Sequence, residues 1–527
     1  MLTRRTFTAQ AVSLFSAAVL APSAVWTADD PTLVATTRHG RVRGVVNNGV
    51  RVFKGIRYGA DTTRRRFMPP ALPISWNNIQ NATKYGAASP QATIAEKTSE
   101  DCLFLNVWTP NLRDRAKRAV MVYIHGGAYA AGSGSSPLYD GTRLCSRGDV
   151  VVVTVNHRLS AFGYLSLGRL GRKHFADSGN VGQLDLVLAL QWVRDNIAEF
   201  GGDPNKVMLF GQSGGGAKIA TLMAMPAAKG LFHRVATMSG QQLTASGPLN
   251  ATKRAEVFLD ALKIKPERLE EIRSLRLSKL VAALQTTDPI IGRGSLYFGP
   301  VLDERTLKRH PFYPDAPPLS AGIPMIIGNT HDETRSLIGG GDPTAFELKW
   351  EDLPARLADN LRVDIAPELV VAEYRKLYPK YSPSDVFFAA TTASRSWRAA
   401  IVEAELRAQQ GSPVFAYQLD WPSPLDDGKW GAPHTLDIPL VFDNIDKEGS
   451  RTGAEPEAQL MADQMSDAFI NFARSGNPNH KGIPKWMPYT LPERATMVFN
   501  NPSKIANDPR GAERKLFEKV PFIQQGT

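Results

Sequence analysis

The sequence predicts an α/β fold, with a mostly parallel, twisted central sheet covered by helices on both faces. Three observations predict it. Runs such as 120–124, 150–155, 207–210 and 235–238 are apolar throughout rather than alternating, the pattern of strands buried on both sides. Stretches of helical composition separate several of these runs, as parallel crossovers require. The run at 207–210 turns through Gly211-Gln212-Ser213-Gly214-Gly215 directly into a helical stretch at 217–224.

Residues 1–28 read as an export segment. Thr3-Arg4-Arg5-Thr6-Phe7 resembles the twin-arginine consensus, an uncharged apolar stretch spans 9–20, and small residues occupy 21–28. The apolar stretch is short and ends at Pro22, so the mature chain is expected to keep no membrane span and to lie in the bacterial periplasm or outside the cell. Residues 33–58 alternate around Asn47-Asn48-Gly49 and predict antiparallel hairpins. A proline-rich loop at 67–76 and a strand at 103–108 follow. Residues 120–124 form a buried strand that runs into His125-Gly126-Gly127-Ala128, and 150–155 a second that ends at Asn156-His157-Arg158. Residues 184–200 are apolar almost all round and free of glycine up to their end, the mark of a buried helix. Further strands are predicted at 323–327 and 414–418, and an amphipathic helix at 461–474. Residues 251–284 and 350–410 are rich in helix formers and charge. Residues 29–527 are therefore expected to form one domain with helical insertions at about 245–320 and 335–412, since no Gly/Ser or Pro linker divides them.

Composition narrows the partners. Of the net charge of +11, Arg4 and Arg5 supply two within the export segment. The densest basic cluster, Arg64-Arg65-Arg66, reads as a solvated loop, and no basic run of nucleic-acid type is present. Cys102 and Cys145 are the only cysteines, enough for one disulfide at most. With no CxxC pair and no HExxH, no metal is implied.

The G-x-S-x-G stretch puts a hydroxyl at a sharp strand-to-helix corner. Flanking glycines leave room for the turn, and the helix N-terminus favours developing negative charge. A serine hydroxyl needs a base within reach and a carboxylate to orient that base, in the chain order serine, acid, histidine. Glu333 is the candidate acid, just past the 323–327 strand in Gly328-Asn329-Thr330-His331-Asp332-Glu333, with Asp332 as a helix cap. Only His434 and His480 follow it. His480 lies in a polar turn and reads as a surface residue, so His434, in a Gly/Pro loop, is the candidate base. Backbone N–H groups of Gly127, Ala128 and Gly214 are candidates for an oxyanion hole.

These residues together resemble the type-B carboxylesterase and cholinesterase family of the α/β-hydrolase fold, and among its members the exported bacterial para-nitrobenzyl-type esterases. FKGIRYG at Phe53, SEDCLFLNVWTP at Ser99, HGGAYAAGS at His125, NHRLSAFGYL at Asn156, GQSGGG at Gly211, GNTHDE at Gly328 and GAPHTLDIPLVF at Gly431 carry the resemblance. It implies a carboxylic ester hydrolase with Ser213 as nucleophile, Glu333 as orienting acid and His434 as base, acting on small-molecule esters without cofactor. It places Gln212 and Ser239 beside the triad and implies a structural ion pair between Glu100 and Arg158. Gln212 stands where a glutamate is common, Ala128 where a glycine is, and no cysteine precedes Cys102. Two other readings share the fold: an acyltransferase using an alcohol in place of water, and a non-catalytic binding protein. Relatives of the latter kind usually lack a triad member, and here all three are present.

Overall fold

The computed structural model describes residues 31–92, 94, 96–171, 173–524 and 526–527. The export segment expected at 1–28 lies outside them. One large mixed sheet organises the rest. Its strands are β1 (Val45–Asn47), β2 (Val50–Arg57), β3 (Phe104–Thr109), β4 (Arg118–Ile124), β5 (Val151–Val155) and β6 (Gly202–Gln212), then β7 (Arg234–Met238), β8 (Met325–Thr330), β9 (Val414–Leu419), β10 (Ala495–Phe499) and β11 (Lys504–Asn507). They lie side by side in the order β11-β10-β9-β8-β7-β6-β4-β5-β3-β2-β1. The run from β10 to β5 is parallel throughout, and antiparallel strands close both edges.

The strands are apolar on both sides because both faces carry core. Val120, Val122 and Ile124 of β4 pack into one core with Leu209 and with Leu186 and Val193 of the helix Val181–Asn196. Met121 and Tyr123 of the same strand point into the opposite core, against Phe210, Phe442 and Phe469. Cys102 belongs to the first core and Cys145 to the second, and both thiols are free. The sheet stands between them.

The helices Pro248–Ala261 and Leu277–Ala283 gather around their own apolar cluster, which includes Phe258, Leu259 and Leu280. Pro367–Leu377 and Pro383–Thr392 do the same around Tyr374, Phe387 and Phe388. These are satellite cores at the rim of the sheet. Among the described residues, no helix is long and apolar enough to cross a membrane.

The charges inside the fold correct one sequence expectation. Glu100 and Arg158 do not pair. Arg158 grips Asp185 with two nitrogens, at 2.6 and 2.8 Å, and its own backbone N–H donates to the same carboxylate at 3.0 Å. Asp185 lies on the buried helix Val181–Asn196, so it has no water and takes its donors from Arg158 instead. Glu100 is gripped by Arg66, with both contacts at 2.6 Å. Arg66 is therefore buried rather than solvated. Its remaining nitrogen donates to the carbonyls of Arg273 and Leu275, tying the loop after β2 to the first group of rim helices.

Candidate active site

β6 ends at Gln212 and the helix Gly214–Ala224 begins two residues later. Ser213, alone between them, takes φ +56° and ψ −125°. A non-glycine residue there is strained and stays only because its surroundings hold it. Its N–H donates to the Met238 carbonyl at the end of β7 at 2.7 Å, and its carbonyl accepts from Ala217 N–H at 3.2 Å. A Cβ at residue 214 would collide with the Ala128 backbone, and one at residue 215 with the Ile124 carbonyl. Only glycine lets the elbow press this closely on the loop after β4.

That loop carries Gly127 at φ +81° and Ala128 at φ +50°. Among the described residues, the N–H groups of Gly127 and Ala128 donate to no protein acceptor. The loop is held from behind. Lys218, fully buried on the elbow helix, donates to the His125 carbonyl at 3.1 Å. Burial pushes its ammonium down to about 7. Burial and the Lys218 charge together push His125 down to about 3 and His157, stacked on it, well below the ordinary imidazole range.

Glu333 starts a helical turn directly after β8. It is fully buried, and its Oε1 accepts from Thr330 N–H at 3.0 Å and from Asn329 Nδ2 at 3.3 Å. Its Oε2 meets His434 Nδ1 in a short hydrogen bond. Burial alone would raise this carboxyl. The His434 charge and hydrogen bond, the Ser239 hydroxyl and the Thr330 N–H outweigh burial and hold it below the ordinary range. Ser239 Oγ is buried beside this carboxylate and, among the described residues, meets no hydrogen-bond partner of ordinary geometry.

Asp332, expected as a helix cap, occupies the cap position without capping. Its N–H donates to the Ala432 carbonyl at 2.9 Å and its carboxylate accepts from Ala432 N–H at 3.0 Å. It thus laces the acid loop to the histidine loop two residues before His434. Thr435, just beyond, sits at φ +79°, an outlier for a β-branched residue. His480 bonds the Gln464 carbonyl at 3.0 Å and takes no part in this cluster.

His434 and Glu333 are therefore in contact. Among the described residues, no hydrogen bond joins Ser213 Oγ to the imidazole. His434 Nε2 instead lies 3.2 Å from the amide nitrogen of Gln212, the residue beside Ser213 in the chain. With Nδ1–H donated to Glu333, Nε2 is left as an acceptor. Ser213, Gly214, Ala128 and Ser239 line one cavity of about 180 Å³. Arg362 and Arg395 line it too, and no local motif in the sequence marks either. A second acid escaped the sequence reading. Burial pushes Asp437, hydrogen-bonded to Tyr417, up to about 7, and the Glu333 charge adds to the effect. Among the described residues, no group of three His, Cys, Asp or Glu side chains is placed to hold a metal ion.

A sequence profile of the carboxylesterase family matches residues 30–517. The chain is 36% identical over 501 residues to the para-nitrobenzyl esterase of Bacillus subtilis (strain 168), covering 92% of this chain and 98% of that one. It is 32% identical over 511 residues to the phenmedipham hydrolase of Pseudarthrobacter oxydans, covering 90% and 97%. Its fold is similar to that of the Geobacillus stearothermophilus carboxylesterase EST55 at pH 6.2, with a TM-score of 0.82 and 38% identity over 92% of this chain and 100% of that one.

Proposed function

Because this chain belongs to the carboxylesterase family, serine carboxylic ester hydrolases of the α/β-hydrolase fold, we propose that Ser213, His434 and Glu333 carry its reaction through an acyl-enzyme. The observation that carries the proposal is the pairing of a strained Ser213, open to the cavity, with an imidazole held by Glu333 against the residue next to it. For the proton transfer, the Ser213 side chain or the ring must turn so that Oγ meets Nε2. Such bonds are often long before substrate arrives and tighten in the complex.

His434 Nε2 then takes the Ser213 proton as Oγ attacks the ester carbonyl. The oxygen that gains charge is stabilised by the N–H groups of Gly127, Ala128 and Gly214. Each such donor is worth roughly 2.7–4 kcal/mol of barrier. The imidazolium, steadied by Glu333, returns its proton to the leaving alcohol, and a water activated by the same imidazole releases the acid. Gln212 adds no charge beside the nucleophile, which disfavours cationic esters. The twin-arginine-like start supports export to the periplasm or beyond.

Ser213→Ala tests the reading. Turnover of a chromogenic ester should fall by about 10⁶, with the thermal midpoint retained. An organophosphonate should add its mass to Ser213 in the wild-type chain alone. Undiminished hydrolysis by the variant would refute the proposal.

A further inference from the structure

Four buried arginines of this fold are matched to acids. Arg66 grips Glu100, Arg158 grips Asp185, Arg254 grips Asp288 and Arg510 grips Glu513. Among the described residues, Arg398 and Arg407 are buried without an acid as well, but they do not line the cavity at Ser213; Arg362 and Arg395, each partly exposed, do. Among the described residues, neither has a carboxylate within ion-pair distance, and neither guanidinium donates a hydrogen bond to the protein. Both face the cavity that holds Ser213. Arg362 feels chiefly burial and two other cations, Arg395 and Arg293, which push it down to about 10. It still carries its charge at neutral pH. The one acid whose field reaches Arg395 is Glu333, whose oxygens already serve His434, Asn329 and Thr330.

The backbone presents both side chains deliberately. The helical run before β9 opens into a π-turn at Ala393–Trp397, and Arg395 within it leaves helical dihedrals at φ −109° and ψ −110°. Single π-turns inside helices are frequent at functional sites. Arg362 is set by the C-terminal tail. Ile523 N–H donates to its carbonyl at 3.0 Å, Val363 bridges Phe522, and Phe522, Ile523 and Gln524 line the same cavity. Two converging cations without an acid between them repel each other and lose solvation, which a bound anion reverses.

We propose that the preferred ester carries an anionic group, such as a free carboxylate, which Arg362 and Arg395 bind beside Ser213. The inference rests on the esterase reading of that serine and names its substrate class. A planar oxyanion fits two guanidinium forks better than any neutral group does. The charge belongs to either half of the ester, the acyl part of a half-ester or the alcohol part of an ester of a hydroxy acid. Arg362 and Arg395 are specificity residues here and touch no reacting atom.

Matched pairs of esters test it. In the acyl arm, p-nitrophenyl hydrogen glutarate is compared with p-nitrophenyl methyl glutarate by p-nitrophenol release. In the alcohol arm, O-butyryl 3-hydroxypropanoate is compared with its methyl ester by butyrate release. The wild-type enzyme should prefer the charged member of one arm by about 10- to 100-fold in kcat/KM. The pair that shows it identifies the half that carries the charge. Arg362→Gln and Arg395→Gln should each erode the preference through KM, and R362Q/R395Q should abolish it. If Arg395 served only to balance Glu333, kcat would fall equally for both members of a pair and the preference would survive. Equal use of both members by the wild type, or a preference intact in the double variant, overturns the inference. If the wild type cleaves neither pair, the esterase reading is what fails, and calorimetric binding of glutarate decides the anion site alone. Binding at least ten times tighter to wild type than to the double variant supports the site, and equal or absent binding overturns it.

Discussion

Glu333→Gln is the most discriminating change, because the surroundings of that carboxylate dictate which way the amide must lie. Oε1 accepts two donors, Thr330 N–H at 3.0 Å and Asn329 Nδ2 at 3.3 Å. A glutamine can satisfy both only by putting its carbonyl oxygen there. Its NH₂ then points at His434 Nδ1, where Glu333 Oε2 now accepts. Donor facing donor is not tolerated in a buried site, so Nδ1 must surrender its hydrogen and the proton moves to Nε2. An imidazole protonated at Nε2 cannot take the Ser213 proton. The analogous change in a serine triad costs about 10⁴ in kcat, or about 5.5 kcal/mol of barrier. The assay is kcat for p-nitrophenyl butyrate at pH 7 and 25 °C, with thermal unfolding as the control for folding. A loss of less than about tenfold in a folded variant would refute both the tautomer argument and the role given to Glu333. Acid unfolding gives a second readout. The Glu333 carboxyl is depressed in the folded state, so its ionised form contributes stability above the unfolded value of about 4.3. That stability is lost as pH falls through the folded value. The glutamine variant should lack that part of the acid transition.

Three further outcomes follow from the same structure. In double-mutant cycles read by chemical denaturation, Arg158 and Asp185 should couple by about 1–3 kcal/mol, while Arg158 and Glu100 should couple by less than about 0.5 kcal/mol, since only the first pair is in contact. Lys218→Met should raise stability at pH 6 by about 1–4 kcal/mol, because it removes a buried charge that lacks an acidic partner. Folded Lys218 holds its proton only up to about 7, whereas the unfolded side chain holds it to about 10.4. The wild type therefore regains stability as pH rises between those values, and the variant's advantage should shrink in thermal melts from pH 6 to pH 10. Replacing Arg4 and Arg5 together by lysine should leave uncleaved chain in the cytoplasm of the producing bacterium. Normal appearance of mature enzyme in the periplasm or medium would remove the twin-arginine reading.

What the sequence made legible was local. The elbow could be read because strand, glycines, serine and helix are consecutive, and each constrains its neighbour's backbone. The parallel strands could be read because burial on both faces leaves no room for polar side chains. Only their cores were visible: 207–210 lies inside the strand Gly202–Gln212, whose first residues are polar. The strand Ala495–Phe499 went unread, since a lone five-residue apolar run lacks any flanking periodicity. The partners of charged side chains were not legible. Glu100 and Arg158 were joined by position in a family pattern, but a guanidinium takes whichever carboxylate the packed helices bring to it. Here the helix Val181–Asn196 brought Asp185 to Arg158, and the turn after β2 brought Arg66 to Glu100. The same argument bears on substrate. Arg362 and Arg395 belong to different elements and carry no motif, and neither is unusual as a residue. What sets them apart is that, among the described residues, both line the cavity at Ser213 and neither has a carboxylate within ion-pair distance, a property of the assembled fold that no window of sequence contains. Reaction type was therefore written in short motifs, whereas the charge proposed for the preferred ester rests on two side chains that only the fold brings to one cavity.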